Sequence, residues 1–286
     1  IGGHLLPAPK EFLALGSAKG RLAIGSITGK GVQIKPADCE FVLDKGQLRL
    51  DYAPEMNNGR LRLNPVINVA SVPMTLDFPA DSQVLDRIEA TSFLVGGVMA
   101  YINPLFKNVV TSEGRVSFTL KSFSAPLDAS LRQEMKFNSV LNLNDFYFMP
   151  SGAFRSILEF ARLGSDTGVG FKQYAINIAC YEGRIRPDPM KFSVLGTELV
   201  SKGTVGLDQT VEYEISFGLS ERIVGSQLYP FAKGQIITLP ISGTLSALKV
   251  NFTSAEKFIG NLGKQLLKKS TEAFGDLLNS LKGTGR

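Results

Sequence analysis

The chain has 286 residues, 44% of them hydrophobic and 20% charged, a length and balance that support a sizeable buried core and exclude a disordered or collagen-like polymer. Lysine and arginine exceed aspartate and glutamate by 31 to 26, a net charge of +5, far short of the dense basic stripe of a nucleic-acid binder. No stretch reaches the roughly 18 apolar residues of a membrane-spanning helix; the longest apolar run, Phe93 to Ile102, is about half that length and contains two glycines.

Taken in order, the chain starts at Ile1 without a methionine, which reads as a fragment or processed form. The single histidine, His4, lies in these first residues, so a histidine-based triad or base has little footing. Gly25-Ser26-Ile27-Thr28-Gly29-Lys30-Gly31 resembles a phosphate loop at a glance, yet its glycines are one residue too close and Gly31 stands where a magnesium-holding Ser or Thr belongs. It reads as a turn between strands. Beyond it, apolar and polar residues alternate with the period of a one-sided strand in Leu48-Arg49-Leu50, Leu61-Arg62-Leu63, Val116 to Leu120, Tyr174 to Ile178, Val211 to Phe217 and Leu248 to Phe252. Gly203 to Thr210 predicts a strand closing through a polar turn at Asp208 into an antiparallel neighbour. Glycine at 29 of 286, about 10% against a usual ~7%, fits many tight turns.

Three segments carry helical spacing instead. They are Thr91 to Leu105, weakened by Gly96-Gly97; Pro150 to Leu163, with Ser151 as the cap and Gly164 as the stop; and the Leu- and Lys-rich stretch Ser254 to Lys282. The prediction is therefore a mainly β protein: a long curved antiparallel sheet forming a groove or half-barrel, with two or three helices including a C-terminal amphipathic one. Lys45-Gly46-Gln47-Leu48-Arg49-Leu50-Asp51 echoes Glu182-Gly183-Arg184-Ile185-Arg186-Pro187-Asp188, and two later glycine-led strands echo in the same order. Two β-rich halves, 1–130 and 131–253, followed by a helix and tail over 254–286, explain this; so does chance similarity among amphipathic strands.

The motifs of catalysis are missing. Gly168-Val169-Gly170 lacks the third glycine of a dinucleotide fingerprint, and Glu212 and Glu214 alternate with apolar neighbours, which places both on an outward strand face. Cys39 and Cys180 form no metal-binding pair; one disulfide is open to them in an oxidising compartment. No catalytic residue, cofactor, metal or nucleic acid is expected. The question left is whether the one-sided strands close on a dry core or keep an apolar trough. Val116, Phe118, Leu120, Tyr213, Ile215, Phe217, Ile237 and Leu239 share strand parity and are the candidate lining, although the same parity serves a closed core. Lys257, Lys264 and Lys268 on the last helix are candidates for contact with lipid headgroups or a membrane, the alternative being that this helix only packs over the sheet.

The stretch Leu199 to Tyr213, with Gly203-Thr204-Val205-Gly206-Leu207-Asp208-Gln209-Thr210 inside it, and Leu239-Pro240-Ile241-Ser242-Gly243-Thr244-Leu245 after it resemble the C-terminal region of AsmA-like proteins, relatives of TamB and YhdP. Gln209 stands where that family prefers glycine, and Ser246-Ala247 stands near its expected proline. The resemblance implies a bacterial envelope protein in the periplasm, anchored in the inner membrane through an N-terminal segment absent here, whose β-groove carries phospholipid toward the outer membrane. The competing reading is a scaffold whose strand edges pair with a partner in outer-membrane assembly.

Overall fold

The computed structural model describes residues 16–264. It is mainly β: one antiparallel sheet of 19 strand segments, not closed into a barrel, with several short helices including a C-terminal one. Neighbours in sequence are neighbours in the sheet. The first five long strands are each broken in two: β1 (Ser17–Ile24) with β2 (Ile27–Gly29), β3 (Val32–Ile34) with β4 (Ala37–Asp44), β5 (Gln47–Tyr52) with β6 (Glu55–Met56), β7 (Gly59–Leu61) with β8 (Val66–Asn68), and β9 (Thr75–Phe78) with β10 (Ser82–Glu89).

Pairing shows that these breaks lie side by side. β2 pairs with β3 while β1 pairs with β4, and the double pattern repeats as β3–β6 with β4–β5, β6–β7 with β5–β8, and β7–β10 with β8–β9. Four of the five breaks contain a proline: Pro36, Pro54, Pro65 and Pro79. Proline has no N–H for the ladder and a fixed φ, so each interrupts the hydrogen bonding of its own strand and lets it bend there; Pro36 lies close to Pro54 across the sheet and Pro65 close to Pro79, the two pairs being offset along the strands. β11 (Ser112–Pro126) rejoins the two rows, taking β10 and then β9 along one edge and β12 (Lys136–Phe148) along the other. The meander continues through β13 (Val169–Tyr181), β14 (Arg184–Pro187), β15 (Met190–Val194), β16 (Thr197–Gly206), β17 (Thr210–Gly218), β18 (Ile236–Thr244) and β19 (Ala247–Val250).

Five hairpins turn on two residues that both have positive φ: Lys30-Gly31, Lys45-Gly46, Asn57-Asn58, Glu182-Gly183 and Leu195-Gly196. This is the primed turn that matches strand twist. Lys45-Gly46 and Glu182-Gly183 are the two places from which the internal echo was read, and both carry this turn. Residue 130 falls in the 3-10 helix Ala129–Glu134, between β11 and β12, which pair with each other nearly throughout. Residues 17–130 and 131–253 thus share one sheet. At Asp208 the turn forms as expected; its carboxylate accepts from the Thr210 N–H and hydroxyl, which holds its pKa below the usual carboxylate range.

The long connections leave from one end of the sheet. α1 (Ser92–Gly97), followed by 3-10 turns at Met99–Tyr101 and Pro104–Phe106, joins β10 to β11; α2 (Gly152–Phe160) joins β12 to β13; α3 (Glu221–Val224) and α4 (Tyr229–Ala232) join β17 to β18. α5, residues 253–264, follows β19. The single helix expected over Thr91 to Leu105 is instead three short pieces, because Gly96-Gly97 and Asn103-Pro104 each end one. Ser151 precedes α2 as expected but makes no cap bond; its hydroxyl donates to the carbonyl of Asn108. α3 and α4 carry no spacing long enough to read from sequence. The expected helix beyond residue 264 lies outside the described residues. Cys39 and Cys180 are both free and buried, so the disulfide left open by the sequence is not formed.

Phenylalanine holds the helices to the sheet. Phe106 meets Phe148 at 5.2 Å between ring centres, Phe148 meets Phe154 of α2 at 6.0 Å, and Phe154 meets Phe192 at 5.2 Å. Each such pair adds about 1 kcal/mol beyond area burial. Gly114 marks a bulge in β11: its φ is +102°, and a Cβ there would lie 2.4 Å from the Asp145 carbonyl oxygen. Gly114→Ala is expected to destabilise the fold by about 2 kcal/mol or more in urea unfolding. Gly218→Ala, at a site with no atom within 4 Å, should stay within about 0.5 kcal/mol of the parent.

Candidate functional site: an apolar cavity under the first crossover

The crossover between β10 and β11 is fixed at its far end by polar bonds inside an apolar core. The Tyr213 hydroxyl donates to the Ile102 carbonyl at 2.8 Å. Asn103, fully buried, accepts from the Leu105 N–H at 3.0 Å and donates to the Ser201 hydroxyl at 2.6 Å. Burial disfavours the phenolate of Tyr213 and raises its pKa far above the ordinary tyrosine range, so the hydroxyl remains a donor. At its near end α1 is capped by Thr91, whose hydroxyl accepts from the Leu94 N–H at 3.3 Å.

Between these two anchors the segment arches over the sheet and leaves a cavity of about 260 Å³. Leu94, Val98, Met99, Tyr101 and Ile102 form its roof. The floor comes from five adjacent strands: Leu85 and Ile88 of β10, Val116 and Phe118 of β11, Phe137 and Leu141 of β12, Ile178 of β13 and Ile185 of β14. No polar atom contributes to its surface. Water gains nothing in such a space, and an apolar ligand gains dispersion and loses hydration. Leu85, Leu94, Tyr101, Phe118 and Phe137 are only partly buried and Val98 is exposed, so the cavity is open to solvent on that side.

An apolar strip leaves the cavity at Phe137. Phe137 stacks with Phe123 at 6.2 Å, and Phe123 meets Phe78 edge-on at 5.4 Å. Beyond β9 the strip is carried by directly opposed residues: Leu76 with Ile67, Ile67 with Leu48, and Leu48 with Leu43. All seven are half-buried. From β12 to β4 it crosses five strand spacings, roughly 24 Å.

Of the expected lining, Val116 and Phe118 face the cavity. Leu120 is buried on β11 beside it without lining it. Tyr213, Ile215, Phe217, Ile237 and Leu239 do not line this cavity: they are at most 5% exposed, in core that α2 helps to close, with Phe160 of α2 6.4 Å from Phe217. Both groups have the same strand parity, and what separates them is which helix lies above. Lys257 and Lys264 are exposed on α5, whose Ala255, Ile259 and Leu262 pack on the core; Lys268 and His4 lie outside the described residues. Leu94, Val98, Tyr101 and Ile102 of the roof lie in the segment with helical spacing, which marks them as apolar but not as a cavity lining, whereas Ile178 lies in an alternating strand and Leu141 is placed by pairing with Phe118 and Ile176.

None of the family models, curated proteins or solved structures compared with the chain matches it. Among the described residues no group of three or more His, Cys, Asp and Glu side chains is placed to hold a metal. Glu212 is exposed and Glu214 half-exposed, while Val211, Tyr213 and Ile215 between and beside them are buried, as the alternation predicts. A shallow polar groove on β6, β7, β10 and β11 carries Arg60, Arg87 and Arg115 with Glu55 and Asp86, and Arg87 sits 3.4 Å from Asp86.

Cys180 lies opposite Phe137 and Ile185, at the edge of the cavity floor. Burial pushes its thiol up to about 11, with Arg186 opposing. The folded state therefore keeps a proton that the unfolded chain releases, and stability present below about pH 9 declines as pH rises toward 11. The urea midpoint of the parent is expected to fall from pH 9 to pH 10, below the ordinary tyrosine range, and Cys180→Ala should flatten that decline.

Proposed function

We propose that the protein binds a lipid through its acyl chain, held in the cavity beneath residues 94–102 and along the strip beyond Phe137. The observation that carries this reading is the chemistry of the cavity: about 260 Å³ with no polar atom at its surface, open to solvent and continuous with half-buried apolar residues. A methylene fills about the ~30 Å³ of a liquid water, so the cavity takes roughly nine. At about 0.8 kcal/mol each, they contribute on the order of 7 kcal/mol before the cost of ordering the chain. The strip of roughly 24 Å exceeds one leaflet of a ~30 Å hydrocarbon core, so the remainder of a long chain has apolar surface to follow.

The AsmA-like resemblance supports phospholipid as the cargo and the periplasm, facing outer-membrane biogenesis, as the setting. The scaffold alternative draws on the outer edge of β1 and β2, where Leu22 and Ile27 are exposed and no further strand pairs among the described residues. The cavity favours lipid, since a strand-pairing scaffold has no use for an apolar space beneath α1.

Protein purified without detergent is expected to release phospholipid or fatty acid near one per chain on solvent extraction and mass spectrometry, and to bind a fluorescent fatty acid in solution. Val116→Phe, which fills the cavity from its floor, should reduce probe binding by about tenfold or more at a stability change within ~2 kcal/mol. Lipid no higher than on a control β-protein, with no probe binding by folded protein, would count against the proposal.

A further inference from the structure

The cavity roof is also part of an exposed apolar tip. Phe93 is 45% exposed, Val98 60% and Val110 61%. Phe93 and Val110 lie close together, since the Ser92 hydroxyl beside Phe93 donates to the Val110 carbonyl at 3.1 Å, and Val98 is the C-cap residue of the same short helix. Two lysines border it. Lys30, in the β2–β3 turn, places Nζ 5.9 Å from the centre of the Phe93 ring, and Lys107 donates from Nζ to the Gly96 carbonyl at 3.3 Å. Neither lysine has a carboxylate partner among the described residues, as is true of most of the described lysines.

Exposed apolar side chains bordered by two cations without carboxylate partners suit an interface with acyl chains below and phosphate charge above. Val98 connects this tip to the cavity, since it lines the cavity and is itself largely exposed. We infer that this end of the sheet docks on the surface of an anionic phospholipid bilayer, with Phe93, Val98 and Val110 entering the interface and Lys30 and Lys107 meeting lipid phosphates, so that a chain passes between bilayer and cavity alongside Val98. The inference rests on the acyl-chain reading for its purpose, while the docking itself depends only on the tip.

Flotation with vesicles of equal parts phosphatidylcholine and phosphatidylglycerol, against vesicles of phosphatidylcholine alone, tests it. The full chain should float with the anionic vesicles, less so as salt rises. Phe93→Ser with Val110→Ser, neither of which lines the cavity, should weaken flotation by about tenfold and leave binding of the soluble fatty-acid probe and the melting temperature unchanged. Lys30→Gln and Lys107→Gln should each cost roughly fivefold on anionic vesicles and little on neutral ones. No flotation of the parent, or equal flotation of the Phe93 and Val110 variant, would overturn the docking while leaving the cavity proposal standing. Loss of probe binding in the parent with flotation intact would sink the cavity proposal instead.

Discussion

Everything above the cavity depends on a few hydrogen bonds made far from water. Tyr213 and Ser201, on two central strands, meet Ile102 and Asn103 at the end of the first crossover. A buried carbonyl or amide left without a partner costs about 1–3 kcal/mol, so these bonds specify one path for the segment more than they add net stability. With that end fixed and Thr91 capping the other, the roof must arch from one anchor to the next. The space beneath is a consequence of where the anchors lie.

The sheet has two regimes. From β12 onward helices cover one face, and Phe106, Phe148, Phe154 and Phe192 interlock the two layers. Toward β1 the chain spends its residues on strands joined by two-residue turns and, between β8 and β9, one longer loop, and the apolar face from Phe123 to Leu43 is only half-buried. Monomeric proteins rarely leave a continuous apolar surface of this kind without a ligand or partner for it. The cavity lies where the regimes meet, which makes it both sheltered by α1 and continuous with the exposed strip.

The row of broken strands bears on the same point. A flat sheet would hold its apolar face as a plane, whereas strand breaks lying side by side, four of them with a proline, allow a bend across five strands while the pairing continues on both sides. A bent one-layer sheet keeps opposed residues such as Leu48 and Ile67 in contact and offers a channel-like floor to an extended chain. The groove-like form thus follows from local backbone chemistry repeated at matching positions.

The alternation of residues by itself determined the fold class, because a period of two leaves a one-sided strand as the economical way to bury Val116, Phe118, Tyr213 or Ile215. Turn residues with positive φ, such as Gly46 and Gly183, likewise announce hairpins locally. The sequence did not distinguish Val116 and Phe118, which face the cavity, from Ile215 and Leu239, which face a dry core, since parity assigns a face and not what lies over it. Nor did it reveal that the breaks in five strands lie side by side, which requires the strand register, or that Leu94 and Val98 form a roof. The roof in particular depends on contacts between residues about a hundred positions apart, Ile102 with Tyr213 and Asn103 with Ser201, and only the folded chain brings such groups together.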